Sequence, residues 1–176
     1  MTNFKGLQRF IEGNLNKAWE FEIAGLLQEH RLTLAVAESC TGGLLAHRLT
    51  NIPGSSSYFR AGVVAYSNDA KVSLLGVATE TLRHYGAVSA ACAREMASGI
   101  RKAVGSDIGL ATTGIAGPTG ATAWKPVGIV YVAYADAETT IALPLMFDTS
   151  REIHKERATE AVLTLLYCQI QQEIPF

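Results

Sequence analysis

The chain has 176 residues, 48% of them hydrophobic, which is enough to bury the core of one domain. Its 15 basic and 16 acidic residues leave a formal net charge of -1, excluding the strong overall field that favours nucleic acid or an anionic membrane. Cys40, Cys92 and Cys168 are odd in number and lack any Cys-x-x-Cys spacing, which argues against a zinc or disulfide framework and for a reducing cytoplasm.

Residues 1 to 18 set Phe4, Leu7, Ile11 and Leu15 on one helical stripe, with Lys5, Arg9 and Lys17 off it, and read as an amphipathic arm. Packing or dimerisation suits this arm better than targeting, because Glu12 and the lack of Ser-rich flanks break the transit-peptide pattern. No secretory leader is expected, and no run approaches the ~20 apolar residues of a membrane span.

From residue 19 onward, helical and extended patterns alternate. A helix over Trp19–Glu29 leads to a buried strand over Leu32–Ala37, and Ser39 begins the turn that follows. Gly42–Asn51 then reads as a helix burying Leu44, Leu45 and Leu49, stopped by Pro53-Gly54 and three serines. A second strand over Ala61–Tyr66 precedes short helices at Asp69–Leu75, capped by Asn68, and Glu80–Tyr85.

A longer helix follows the candidate cap Ser89 to about Val104, with Met96, Ile100 and Val104 as its apolar stripe. Ile108–Thr113 reads as a strand entering the glycine-rich Gly114–Gly120 loop, and Val127–Ala135 and Thr139–Phe147 as two more, joined by a hairpin at Asp136. From Arg151, a helical period through Ala158, Ala161, Val162, Leu165, Leu166 and Ile170 runs to near Pro175. Together these predict a layered α/β/α single domain with a mixed, mostly parallel sheet of about five or six strands.

Ligands in such sheets settle beyond the carboxyl ends of strands, where three loops gather polar residues: Glu38–Gly43, Tyr66–Lys71 and Thr113–Gly120. Ser39 lies near the start of a helix whose free N–H groups favour an anion or oxyanion, and Thr41, Gly42 and Gly43 leave room for a substrate oxygen. Equally, Ser39 or Thr41 is simply the helix cap.

A nucleophilic serine needs a base, and none of His30, His47, His84 or His154 falls in a loop that meets Ser39; His84 and His154 read as solvated helix positions. Lys71 fits better, provided burial and a helix N-terminus depress its pKa; as an exposed lysine it would pair with Asp69 or Glu80 instead. Tyr66 either orients Lys71 and donates to an oxyanion or keeps a wet hydroxyl. Cys40 offers a thiol in the same turn, or a small apolar filler.

The segments Ala-Glu-Ser-Cys-Thr-Gly-Gly, Pro-Gly-Ser-Ser, Tyr-Ser-Asn-Asp-Ala-Lys, Gly-Ala-Val-Ser, Thr-Gly-Ile-Ala-Gly-Pro and Lys-Pro-Val-Gly occur in this order between residues 19 and 170. Taken together they resemble the CinA family, as its C-terminal domain, which also occurs free-standing. Residues 1–18 then form an arm before a domain over 19–176.

The resemblance implies an amidohydrolase that converts nicotinamide mononucleotide and water to nicotinic acid mononucleotide and ammonia, in pyridine nucleotide recycling. It implies Ser/Lys catalysis without metal or cofactor: Ser39 attacks the carboxamide, Lys71 moves the proton and Tyr66 assists. Thr113, Gly114 and Arg151 match substrate-binding positions, Arg151 suiting a phosphate through its forked donors.

The implied partner is a small pyridine mononucleotide, with no nucleic acid or membrane, and self-association is expected. A non-catalytic nucleotide-binding module is the alternative. The chain departs from the family pattern at Ala121, Trp124, Thr149-Ser150 and Lys155, all where recognition rather than bond cleavage is decided.

Overall fold

The computed structural model describes residues 4–15 and 17–171. Its elements are α1 (Phe4–Gly13), α2 (Glu20–Glu29), β1 (Leu34–Glu38), α3 (Leu44–Thr50), β2 (Phe59–Val64), α4 (Asn68–Leu75), α5 (Thr79–Tyr85), α6 (Ala90–Val104), β3 (Ile108–Gly114), β4 (Ile129–Ala135), β5 (Thr140–Met146) and α7 (Arg151–Gln171). The five strands form one sheet in the order β2-β1-β3-β4-β5. β1 pairs in parallel with β2 and β3, whereas β4 runs antiparallel to both β3 and β5. Four strands therefore point one way and β4 alone opposes them, the mixed, mostly parallel sheet the alternating pattern predicts.

Side chains on a strand alternate between faces, and here the two faces differ in size. Leu34, Val36, Leu110, Val130 and Val132 face the layer built by α1, α2, α3 and α7. Ala35, Ala37, Ala111, Ala133 and Ala135 face α6. The small face lets α6 approach closely: a Cβ on Gly109 of β3 would come within 2.1 Å of the Ala97 carbonyl oxygen; α4 in turn packs on α6 so tightly that a Cβ on Gly99 would fall 1.8 Å from the Leu75 carbonyl oxygen.

The amphipathic arm folds back onto its own domain. Leu7 and Ile11 are fully buried and Leu15 nearly so, within the core that α7 and β5 contribute to. Burial of each such side chain stabilises by roughly 1.5–3 kcal/mol. The Phe4 side chain, also assigned to this stripe, and the helix end near Pro175 lie outside the described residues.

Several boundaries move for local reasons. β1 starts at Leu34 rather than Leu32, after Arg31 takes a left-handed backbone (φ 54). α3 starts at Leu44, because Gly42 and Gly43 also have positive φ and cannot join a right-handed helix; Leu44 is only half-buried, while Leu45 and Leu49 are buried. β2 covers Phe59–Val64, leaving Tyr66 beyond its end. The α4 cap is Ser67, whose hydroxyl accepts from the Ala70 N–H at 3.1 Å, with Asn68 already inside the helix. Ser89 caps α6 as expected, accepting from Cys92 N–H, but Val104 is 39% exposed and off the apolar stripe.

Candidate active site

Because β1 lies between β2 and β3, the segments leaving these three parallel strands converge at one edge of the sheet. Ser39 is the first residue after β1, and its N–H still donates to the Thr112 carbonyl of β3 at 2.9 Å. The ladder thus fixes its backbone while its half-buried side chain faces outward.

Lys71 reaches Ser39 from α4. Its Nζ lies 3.0 Å from Ser39 Oγ and 2.7 Å from the Ala65 carbonyl oxygen, and the residue is 1% exposed. The pairing with Asp69 or Glu80 does not occur; neutral oxygens receive the amine instead. Burial holds the Lys71 pKa below its ordinary value. As an ammonium it donates to both oxygens; as a neutral amine it keeps the Ala65 bond and offers its lone pair to the Ser39 hydroxyl proton.

The N-terminus of α3 is occupied by the chain's own carboxylate. Glu38, fully buried at the end of β1, accepts from the N–H groups of Gly43 (2.9 Å), Leu45 (3.1 Å) and Ala46 (2.8 Å) and from Thr41 Oγ1 (2.6 Å). Thr41 Oγ1 also meets Thr112 Oγ1 at 2.7 Å. Thr41 and Gly43, expected to receive a substrate oxygen, are bonded to Glu38, and neither they nor Gly42 line the cleft that holds Ser39. In the sequence the signal for this is a carboxylate closing the apolar run Leu34–Ala37, four residues ahead of Gly42.

Ser39, Tyr66, Lys71, Thr113, Gly114 and Arg151 line one cleft of about 310 Å³, together with Gly117 and Gly120 of the glycine-rich loop. Tyr66 does not address Lys71. Its ring is 60% exposed and its hydroxyl accepts from Arg151 Nη2 at 2.9 Å. Arg151 Nη1 donates to the Gly117 carbonyl at 2.6 Å, so the guanidinium bridges β2's exit to the glycine-rich loop at the cleft mouth. Thr113 is buried and donates to the Ala87 carbonyl at 2.9 Å.

Cys40 also borders the cleft, but burial pushes its thiol pKa up to about 12, which removes the thiolate a cysteine nucleophile requires. No histidine lines the cleft. His154, read as solvated, is instead 1% exposed, with Nδ1 2.8 Å from the Ala116 carbonyl oxygen and Nε2 2.8 Å from that of Phe147. That turn of α7 packs on the glycine-rich loop, which takes the imidazole out of solvent. Trp124 stands 90% exposed, clear of the cleft.

A larger cavity, about 530 Å³, opens at the far end of the sheet beside Arg101, Asp107, Tyr134 and Asp136. Several of its polar groups bond one another or nearby backbone: Tyr134 donates to Asp136, Arg101 to the Asp107 carbonyl, and Thr33 to the Asp107 carboxylate. It contains no nucleophile–base pair, and the smaller cleft is the candidate active site. Among the described residues, no three His, Cys, Asp or Glu side chains gather closely enough to hold a metal ion, and no helix is long and apolar enough to cross a membrane.

Residues 16–170 match the model of the CinA C-terminal domain. A CinA-like protein of Chloroherpeton thalassium is 51% identical over 151 residues, which are 84% of this chain and 36% of that protein. One from Chlorobium limicola is 44% identical over 171 residues, 94% of this chain and 40% of that protein. The chain thus spans about two fifths of the length of these curated relatives. Among solved structures, the competence damage-inducible protein A of Klebsiella pneumoniae superposes with a TM-score of 0.85 at 35% identity, covering 88% of this chain and 96% of that one. The competence/damage inducible protein CihA of Agrobacterium tumefaciens gives 0.82 at 37% identity, over 89% and 97%.

Proposed function

The chain belongs to the CinA C-terminal domain family, and from that membership and the Ser39–Lys71 contact we propose that it hydrolyses the carboxamide of nicotinamide mononucleotide. The products are nicotinic acid mononucleotide and ammonia. The observation that carries this reading is the buried Lys71 amine, 3.0 Å from a serine hydroxyl and bonded otherwise to a carbonyl.

In the proposed reaction neutral Lys71 takes the Ser39 proton as Oγ attacks the carboxamide carbon, which the cationic pyridinium ring makes electron-poor. The tetrahedral intermediate collapses as Lys71 returns that proton to the nitrogen, and ammonia leaves. Water then attacks the acyl-enzyme, giving one proton to Lys71; this proton restores the Ser39 hydroxyl as the acid departs. Arg151 supplies a cation at the cleft mouth for the phosphate, and the bond it donates to the Tyr66 hydroxyl assigns that tyrosine to binding rather than to proton transfer.

The alternative, a module that only holds a nucleotide, draws support from the glycine-rich loop but loses the α3 N-terminus, where Glu38 already sits. Ammonia release from nicotinamide mononucleotide separates the two. Ser39→Ala and Lys71→Ala are each expected to lower kcat by a factor on the order of 10³ or more with melting temperature followed in parallel. Saturable binding without turnover, or variants as active as the parent protein, would sink the amidohydrolase reading.

A further inference from the structure

We infer that His154 is a positioning residue for substrate recognition: from within α7 its Nδ1 clasps the cleft loop at Ala116, keeping the Gly117 carbonyl and Arg151 together at the cleft mouth. The substrate part of this inference rests on the function proposed above. The clasp itself does not.

Three observations converge on this imidazole. First, the β3–β4–β5 ladder continues past its strands: Gly128 N–H donates to Ile115 O at 2.8 Å, and Phe147 N–H to Gly128 O at 3.1 Å. His154 completes this extension, with one ring nitrogen 2.8 Å from Ala116 O and the other 2.8 Å from Phe147 O. Second, the chain passes His154 closely at Gly128. A Cβ on Gly128 would fall 1.9 Å from Phe147 O and 3.2 Å from His154 Nε2. Third, Arg151, one helical turn earlier, donates to the next carbonyl of the same loop, Gly117 O, at 2.6 Å. The first turns of α7 therefore hold consecutive carbonyls of the loop, one through a buried imidazole and one through the cation at the cleft.

The ring has a preferred tautomer. With the donor on Nδ1 facing Ala116, Nε2 accepts from the Thr149 N–H, 3.3 Å away, and the Phe147 oxygen is a contact rather than a bond. The carbonyl of Ala116, itself 7% exposed, would lose this donor in a variant without it, and the loop would be free to pull away from α7.

Asparagine and glutamine distinguish the two ring nitrogens, because the asparagine amide nitrogen overlays Nδ1 and that of glutamine overlays Nε2. His154→Asn is expected to keep the Ala116 bond, and His154→Gln to lose it. Amide hydrogen exchange on the full chain should then be at least about tenfold faster at Ile115 and Gly128, whose bonded N–H groups frame the loop, in His154→Gln, with His154→Asn close to the parent protein. In turnover of nicotinamide mononucleotide, His154→Gln should raise KM about tenfold with kcat within about twofold, and His154→Asn should restore KM. A nitrogen-15 spectrum of the parent protein should show the ring proton of His154 on Nδ1.

Equal exchange in the two variants, or acceleration spread evenly over the fold, would overturn the clasp. An unchanged KM beside localised loop exchange would overturn its role in recognition. If the parent protein shows no turnover while the exchange pattern appears as described, the amidohydrolase reading fails and the clasp stands.

Discussion

Lys71 is a buried amine bonded to a hydroxyl and a carbonyl, with burial pulling its pKa below the ordinary 10.5. A lysine so lowered binds fewer protons folded than unfolded between its two pKa values, so folding stability rises with pH across that window. Below the folded value the cost of burying the charge is complete; above 10.5 both states are neutral and it vanishes. Replacing the group by an apolar side chain of similar length removes the cost. Lys71→Met is therefore expected to be inactive yet more stable than the parent protein by roughly 1–3 kcal/mol at pH 6, with the gain shrinking as pH rises toward 10. Urea denaturation at several pH values measures this, and a gain independent of pH would contradict it. The residue type and its place after β2 were readable from the chain, but its burial depends on α6 covering it, which no local pattern encodes.

At the scale of elements, α3 owes its N-terminus to Glu38 rather than to Ser39 or Thr41. One carboxylate satisfies three backbone N–H groups that a helix end leaves unpaired, and Thr41 donates to it as well. With this end neutralised from beneath, Ser39 is released from capping and its hydroxyl remains for Lys71. Glu38→Ala would leave these donors buried without an acceptor, and is expected to cost about 2–4 kcal/mol of stability by urea denaturation at pH 7. A loss under about 0.5 kcal/mol would show that water or a shifted backbone takes over. The periodicity of α3 predicts a helix, yet Gly42 and Gly43 delay its start by two residues, and only that delay brings the N–H groups onto Glu38.

At the scale of the whole molecule, α1 closes one face of the domain by burying Leu7, Ile11 and Leu15 against its own core. Among the described residues of that stripe, Leu7, Ile11 and Leu15 are spent on the chain's own core. Deleting residues 1–18 uncovers apolar side chains of α7 and β5. The truncated chain is expected to melt at least several degrees lower and to scatter light as larger species, because newly exposed apolar area drives association. A truncated chain with the parent's melting temperature and mass would show that α1 contributes nothing to the core.

The sequence by itself determined the layered α/β/α order, the five strands, the family, and the loops holding Ser39 and Lys71. Hydrophobic period, glycine placement and motif order are local properties, and each survives being read along one chain. Tertiary structure alone decided which partners the polar groups found. Glu38 rather than substrate at the α3 N-terminus, Arg151 rather than Lys71 at Tyr66, and His154 buried against the cleft loop all follow from elements distant in sequence meeting in space. A buried polar group bonds to whatever donor or acceptor packing brings within about 3 Å, and that choice is made between elements rather than within them.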